Sequence, residues 1–355
     1  MHTPRRDQQP IGKSRAIAVA AACLMLVAMG GPAIAETPSP KSKPRAVTCP
    51  PTPKPVRDLD IPRFYANREG SAVDPDLATA HAAAVAPLVD FLRSIVDAAD
   101  KAVARQDTAR SACALTSLET WAAADAWQGD MVTPQAEYQR KWDLAGIALA
   151  YLKLKPHATP AQRAVIEPWL LRWSAKARAF FDNPARTRNN HWYWMGLATM
   201  ATAIVAESET HWQAARSIYD DALLDIRADG SLPKELERQQ RALFYHVFAV
   251  TPLVVMAELA AARGEDWYGR QDGALHRLIA LCMKGLQDPR DFEALSGIRQ
   301  EQPVNPRAGW LSLYRARFPE RLPAGRLPDV PDKHRWLGGD VHNLPRSLPQ
   351  PAQRH

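Results

Sequence analysis

Thr159-Pro160-Ala161-Gln162 opens a segment that runs on through Val165-Ile166-Glu167-Pro168-Trp169-Leu170-Leu171-Arg172-Trp173. The Thr hydroxyl can accept from the Gln162 backbone N–H while the Gln side chain reaches back, and Pro160 loses no hydrogen bond at the first helical position. Trp169, Leu170 and Trp173 then recur at the spacing of one helix face, with an expected end near Phe181. Similar starts recur along the chain. Asp74-Pro75 opens an Ala-rich helical region to about Arg105, with a bend at Pro87. Thr108 is expected to cap a helix through Trp127, and Thr133-Pro134 to start one ending near Leu154. Asn189 or Asn190 caps a helix from His191 to about Glu207, and another runs from Thr210 to Ile226. After the Asp229-Gly230 turn, Lys234 to about Arg263 and Asp272 to Gly285 read as helices. Strand signals are few, so the fold class is all-α. An α-solenoid would show a fixed repeat, and none is found. A toroid of helical hairpins around a central cleft also fits.

Composition limits the partners. The 355 residues carry a formal charge of +7. Four cations against one acid in Met1–Ala35 account for +3 of that, leaving +4 and a preference for anionic partners. No helix carries a stripe of Lys and Arg, so nucleic acid is not expected and an acidic polymer is. Eleven Trp are available as core or as sugar-stacking surfaces.

The first 35 residues have a basic start ending at Arg15, an apolar run from Ala16 to Met29 and an Ala33-Ile34-Ala35 cleavage site. They read as a signal peptide, which places the protein in the periplasm or outside the cell. The later sequence holds no expected membrane span. Residues 36–62 form a Pro-rich extended leader, 63–318 the helical domain and 319–355 an irregular tail packed on it. An oxidising compartment allows one disulfide among Cys49, Cys113 and Cys282. Cys49 lies in the leader, Cys113 opens a helix, and Cys282 lies in an apolar run, which favours Cys49–Cys113. No Cys or His pair has metal-ligand spacing, so no metal or other cofactor is expected.

Two stretches carry chemistry: Arg188-Asn189-Asn190-His191-Trp192-Tyr193-Trp194 and Glu237-Arg238-Gln239-Gln240-Arg241-Ala242-Leu243-Phe244-Tyr245-His246. Arg238 and Tyr245 are seven residues apart, which on one helix puts them on one face, roughly 10 Å apart along the axis. Asn190 and His191 open another helix, where the macrodipole favours an anion. Together they suit elimination on a polyuronate. Asn190, His191 and Arg238 would neutralise the carboxylate so that the C5 proton becomes acidic. Tyr245 would take that proton and return one to the glycosidic oxygen. A phenol of pKa ~10 used as a base near pH 7 costs about 4 kcal/mol, which Arg238 and Arg241 would reduce. The plainer alternatives are a helix cap at the Asn pair, a core Tyr, a structural His, and arginines paired with Glu235 and Glu237 on a solvated face.

At these residues the sequence resembles the alginate lyases of polysaccharide lyase family 5, enzymes specific for polymannuronate. Asn189-Asn190-His191-x-Tyr193-Trp194 and Asp229-Gly230-Ser231-Leu232-Pro233-x-Glu235-Leu236-x-Arg238-Gln239-Gln240-Arg241-Ala242-Leu243-x-Tyr245-His246 carry the resemblance. Glu69-Gly70-Ser71, Arg140-Lys141-Trp142, Gln271-Asp272-Gly273-Ala274-Leu275 and Leu337-Gly338-Gly339-Asp340 extend it. It implies an incomplete (α/α) toroid with a tunnel-like cleft. It implies Asn190, His191 and Arg238 as neutralisers, Tyr245 as acid and base, no metal, the Cys49–Cys113 pairing and a lid near Tyr65 to Ser71. Tyr65, Arg68, Tyr138, Arg140, Trp192, Tyr193, Arg241, His246 and Arg335 are expected to bind substrate. Arg68 stands beside Asn67 where the family often carries Lys-Tyr, and is expected to replace the Lys.

The expected activity is β-elimination at β-1,4 bonds of alginate by an exported monomer acting on an anionic polysaccharide. The alternatives are a lyase of other polyuronates such as polyglucuronate or polygalacturonate, a hydrolase with two carboxylates, and a non-catalytic polyuronate binder.

Overall fold

Helix starts dictate the architecture. Asp74 accepts from the backbone N–H groups of Asp76 and Leu77 and opens α1, Pro75–Arg105. Asp107 rather than Thr108 caps α2, Thr108–Ala123, which ends before Trp127 because Asp125 and Trp127 take positive φ. Thr133 caps α3, Pro134–Leu154. The Thr159/Gln162 capping box forms on α4, Pro160–Phe181. Asn189 caps α5, Asn190–Val205, and Ser208 caps α6, Glu209–Leu224. The computed structural model describes residues 48–301 and 308–348, all within one compact unit, Val47–His355. The expected signal peptide lies outside the described residues.

The expected single helix from Lys234 to Arg263 is broken. α7, Pro233–Leu236, is one turn long. A 3₁₀ turn over Gln239–Arg241 follows, with Gln239 at φ +54°, and α8, Ala242–Ala261, begins after it. α9, Arg270–Gln287, has three non-helical residues at its start, and the short α10, Arg290–Ser296, follows.

The helices pair in sequence as α1 with α2, α3 with α4, α5 with α6 and α8 with α9. α3 touches α1 and α5, and α5 touches α8, so the first members of the pairs form an inner row. α2, α4, α6 and α9 cover it outside, giving an all-α (α/α) toroid. Position explains the composition of α5 and α8, because an inner helix surrounded by protein loses its polar face, while α3 buries charged side chains that pair with one another or with the tail. α3, α5 and α8 are buried nearly all round. Gln239–Ala261 is long and apolar enough to cross a bilayer, which the sequence reading did not expect, and 89% of its apolar window is buried inside the protein.

The leader and tail both clamp the body. Cys49 and Cys113 are bonded, while Cys282 is a buried thiol. Trp121 donates its indole N–H to the Pro53 carbonyl, and the Trp127 backbone N–H donates to Val56. After α11, Trp310–Arg317, the tail forms a short hairpin of β1, Lys333–His334, and β2, Gly339–Asp340, then α12, Leu344–Ser347. Lys153, fully buried, donates to Asp100 and to the carbonyls of Gly338 and Asp340. Gly338 and Gly339, at φ +69° and +105°, make the bend that brings those carbonyls to it. This clasp holds Arg335 and Trp336 against the cleft.

Candidate active site

α1, α3, α5 and α8 each present their N-terminal turns to one cavity of about 1070 Å³. Four positive dipole ends therefore face the same space. Arg63, Arg68, Arg186, Arg238, Arg241 and Arg335 line it, and among the described residues no Asp or Glu does. Phe64, Tyr65, Tyr138, Trp142, Phe244 and Trp336 add aromatic surface.

The segment Tyr65–Val73 forms one wall. Tyr65 and Val73 bridge antiparallel, and Asn67 accepts from the backbone N–H groups of Ser71 and Ala72. Arg238 donates to the Glu69 carbonyl at 2.8 Å, and Gln240 to the Ser71 carbonyl at 3.1 Å. Gly70, at φ +68°, sits under Arg238 and Tyr245, where a Cβ would come within 3.0 Å of the guanidinium. The Tyr65 and Tyr245 hydroxyls are 2.7 Å apart, and Arg241 donates to Tyr65 at 2.9 Å.

The chain break before α8 changes how Arg238 meets Tyr245. The Arg238 guanidinium carbon lies 4.6 Å from the Tyr245 ring centroid, so the pair stack instead of projecting in parallel from one helix. Burial, with Tyr65 beside it, pushes the Tyr245 phenol well above its usual pKa, and Arg238 and Arg241 offset only part of this. The expected easing of the phenolate by the arginines is thus outweighed by burial.

His191 is on the opposite wall. It stacks on Tyr138 with centroids 3.9 Å apart, and its Nδ1 is 3.1 Å from Nζ of Lys141. Burial, Lys141 and Arg238 hold its pKa well below the ordinary value, so the imidazole is neutral. Asn190 does not line the cavity. It is fully buried, its backbone N–H and Nδ2 both donate to Glu235, and its Oδ1 has no partner. Glu235, also fully buried, stands 3.5 Å from Arg238 Nε and so joins Asn190 to Arg238. Burial raises the Glu235 pKa, against the pull of Arg238 and Asn190.

The cavity therefore brings together His191, Arg238 and Tyr245 with Tyr65, Arg68, Tyr138, Arg241 and Arg335. Four expected substrate contacts turn away from it. Arg140 is buried in an ion pair with Glu137 at 2.6 Å. Trp192 donates to Asp221 of α6, and Tyr193 to Asp225 just past its end. His246 accepts from the Leu232 N–H on Nε2 and donates from Nδ1 to the Ala242 carbonyl, and burial lowers its pKa to about 4. Arg140, Trp192 and His246 each follow a lining residue, a little over a quarter of a turn round the helix, and Tyr193 is two places past His191, more than half a turn round. Lys141 was missed, and Glu235, read as a partner of the arginines on a solvated face, is instead fully buried between Asn190 and Arg238. The signal for Lys141 was its place in Arg140-Lys141-Trp142, one of the stretches that carry the resemblance.

The toroid and the arginine-lined cleft define a polysaccharide lyase. A protein of that description from Stenotrophomonas maltophilia is 39% identical over 275 residues, covering 77% of this chain and 82% of its own. The alginate lyase family model matches residues 40–292, and the chain belongs to that family. Alginate lyase from Pseudomonas aeruginosa is 35% identical over 243 residues, and the match spans 65% of this chain and 66% of that relative. Alginate lyase A1-III of Sphingomonas species A1 matches with a TM-score of 0.71 at 25% identity, covering 83% of this chain and 85% of that one. Its histidine-to-alanine variant complexed with tetrasaccharide matches with a TM-score of 0.75 at 25% identity, covering 87% and 88%.

Proposed function

We propose that the protein is exported and depolymerises polymannuronate by β-elimination. The observation that carries this reading is that Tyr245, His191 and Arg238 open on one cavity lined by six arginines and, among the described residues, no carboxylate. A hydrolase needs two acids across the scissile bond, and this lining supplies neither. Arg238 and neutral His191 donate to the uronate carboxylate and let it accept charge as an enolate-like intermediate. Asn190 acts from behind, holding Glu235 and through it Arg238. Once its own proton has passed to solvent, the Tyr245 phenolate takes the C5 proton, the C4–O4 bond breaks as the C4–C5 double bond forms, and Tyr245 passes that same proton to the departing oxygen, which restores the phenolate. In mannuronate the C5 hydrogen and the C4 oxygen lie on one side of the ring, which one phenol can serve. Tyr65 occupies the Tyr245 hydroxyl in the closed arrangement, so substrate entry displaces it and frees Tyr245.

Polymannuronate incubated with the protein should yield unsaturated ends that absorb in the ultraviolet. Parallel assays on polyguluronate, polyglucuronate and polygalacturonate fix the specificity. Loss of polymer length without new absorbance would refute the elimination.

A further inference from the structure

We propose that Lys141 is a positioning residue that decides which nitrogen of His191 carries the proton and keeps the ring a neutral donor. This rests on His191 being a carboxylate-neutralising group and adds what makes it one.

Lys141 on α3 is fully buried, where an ammonium loses its hydration. Its nearest acids are engaged elsewhere. Glu137 is paired with Arg140, and Asp143, whose pKa burial raises to about 7, accepts from Trp127 and Gln139. What surrounds Nζ is aromatic. The ring centroids of Trp142, Tyr138 and Phe181 lie 3.8, 5.0 and 5.0 Å away. Faces of aromatic rings attract a cation. The polar neighbours of Nζ are the Tyr138 carbonyl at 3.3 Å and His191 Nδ1 at 3.1 Å. A purely structural residue at this place would be apolar. A lysine here supplies N–H groups to the Tyr138 carbonyl and to His191 Nδ1.

Burial holds the Lys141 pKa well below its usual value, and the aromatic faces and the Tyr138 carbonyl act against that loss of charge. As an ammonium Lys141 has no acceptor, so Nδ1 accepts and Nε2 carries the hydrogen. Nε2 is the nitrogen left for the cavity that His191 lines. The groups facing the ring agree with this assignment. α3 gives Lys141, Tyr138 and Trp142, α4 gives Phe181, and the segment before α8 gives Arg238. Asp221 of α6 and Asp225 just past its end are taken by Arg188, Trp192 and Tyr193, and α8 presents Tyr245 to the same cavity. Two cations and no free acid face His191, which disfavours the imidazolium. The substrate carboxylate therefore meets an uncharged N–H whose state does not change near neutral pH.

Imidazole ¹⁵N chemical shifts of the mature protein without substrate test this, with the His191 signals identified by their loss in His191→Gln. Wild type should show hydrogen on Nε2 and no titration of His191 across roughly pH 5 to 8. Lys141→Met should let His191 titrate in that range or populate both tautomers. It should lower kcat on polymannuronate at least tenfold with little change in KM, and add an acid limb to the pH profile. Lys141→Gln, which restores an N–H donor, should recover the tautomer and part of kcat. Hydrogen on Nδ1 in wild type would overturn the proposal, even where Lys141→Met fails to fold. So would a Lys141→Met protein whose His191 signals and pH profile match wild type. Because the shifts are read without substrate, they stand or fall independently of whether polymannuronate is cut.

Discussion

The two walls of the cleft are built on opposite principles. The His191 wall is part of the core. Tyr138 is stacked on the ring, Lys141 stands behind it with no exposed surface, and α5 is buried almost throughout. The Tyr65–Val73 wall is a loop, with Arg68 and Glu69 exposed, and it meets the rest of the site through a few hydrogen bonds from Arg238, Gln240 and Arg241. A buried wall is pre-organised, as electrostatic stabilisation requires. A loop wall held by a few polar contacts opens at small cost. Substitutions in the fixed wall should therefore appear in kcat, and those in the loop wall in KM and pH dependence.

The largest expected effect is at Tyr245, where both walls meet. Tyr245→Phe should lower kcat roughly 10²–10⁴-fold while polymannuronate still binds, read by ultraviolet absorbance and by calorimetry. Arg238→Ala should cost about 10²–10³ in kcat, because it removes a donor to the developing charge. It also frees the Glu69 carbonyl, so a rise in KM should accompany the loss. His246 tests the contrast from the other side. His246→Leu should leave the activity of folded protein unchanged and lower stability by about 1–3 kcal/mol in urea unfolding, because the Leu232 N–H loses its acceptor. The smallest effect is expected at Tyr65. Since Tyr65 raises the Tyr245 pKa, Tyr65→Phe should move the pH profile to lower pH with a few-fold change in rate. The sign for wild type follows from the same shift. The base form of Tyr245 increases with pH, so kcat should rise from neutral into alkaline pH. Neutral His191 should give no inflection near 6.5.

Helix starts were legible because caps are local. Asp74-Pro75, Thr133-Pro134 and Thr159-Pro160 each open a helix where their side chains accept from the first turn. The break between α7 and α8 was not legible. No Gly or Pro marks it, and Gln239 takes positive φ in a segment whose residues form helix well elsewhere. Tertiary bonds hold that conformation, among them the bond from Gln300 to the Gln239 carbonyl. The side chains at the site divided along the same line. Arg238, His191 and Tyr245 were found by residue type. Type alone could not tell His191 from His246, or Tyr245 from Tyr193, because the choice depends on which face of each helix the toroid turns inward. Lys141 carries no signal of its partner in the sequence, since His191 is 50 residues away.

The most direct test is the rate of unsaturated-end formation on mannuronate oligomers carrying deuterium at C5, compared with protium, by wild type. If a phenol removes that hydrogen, deuterium should slow product formation and every new end should absorb in the ultraviolet. Cleavage that leaves saturated reducing ends at the same rate for both isotopes would contradict the account.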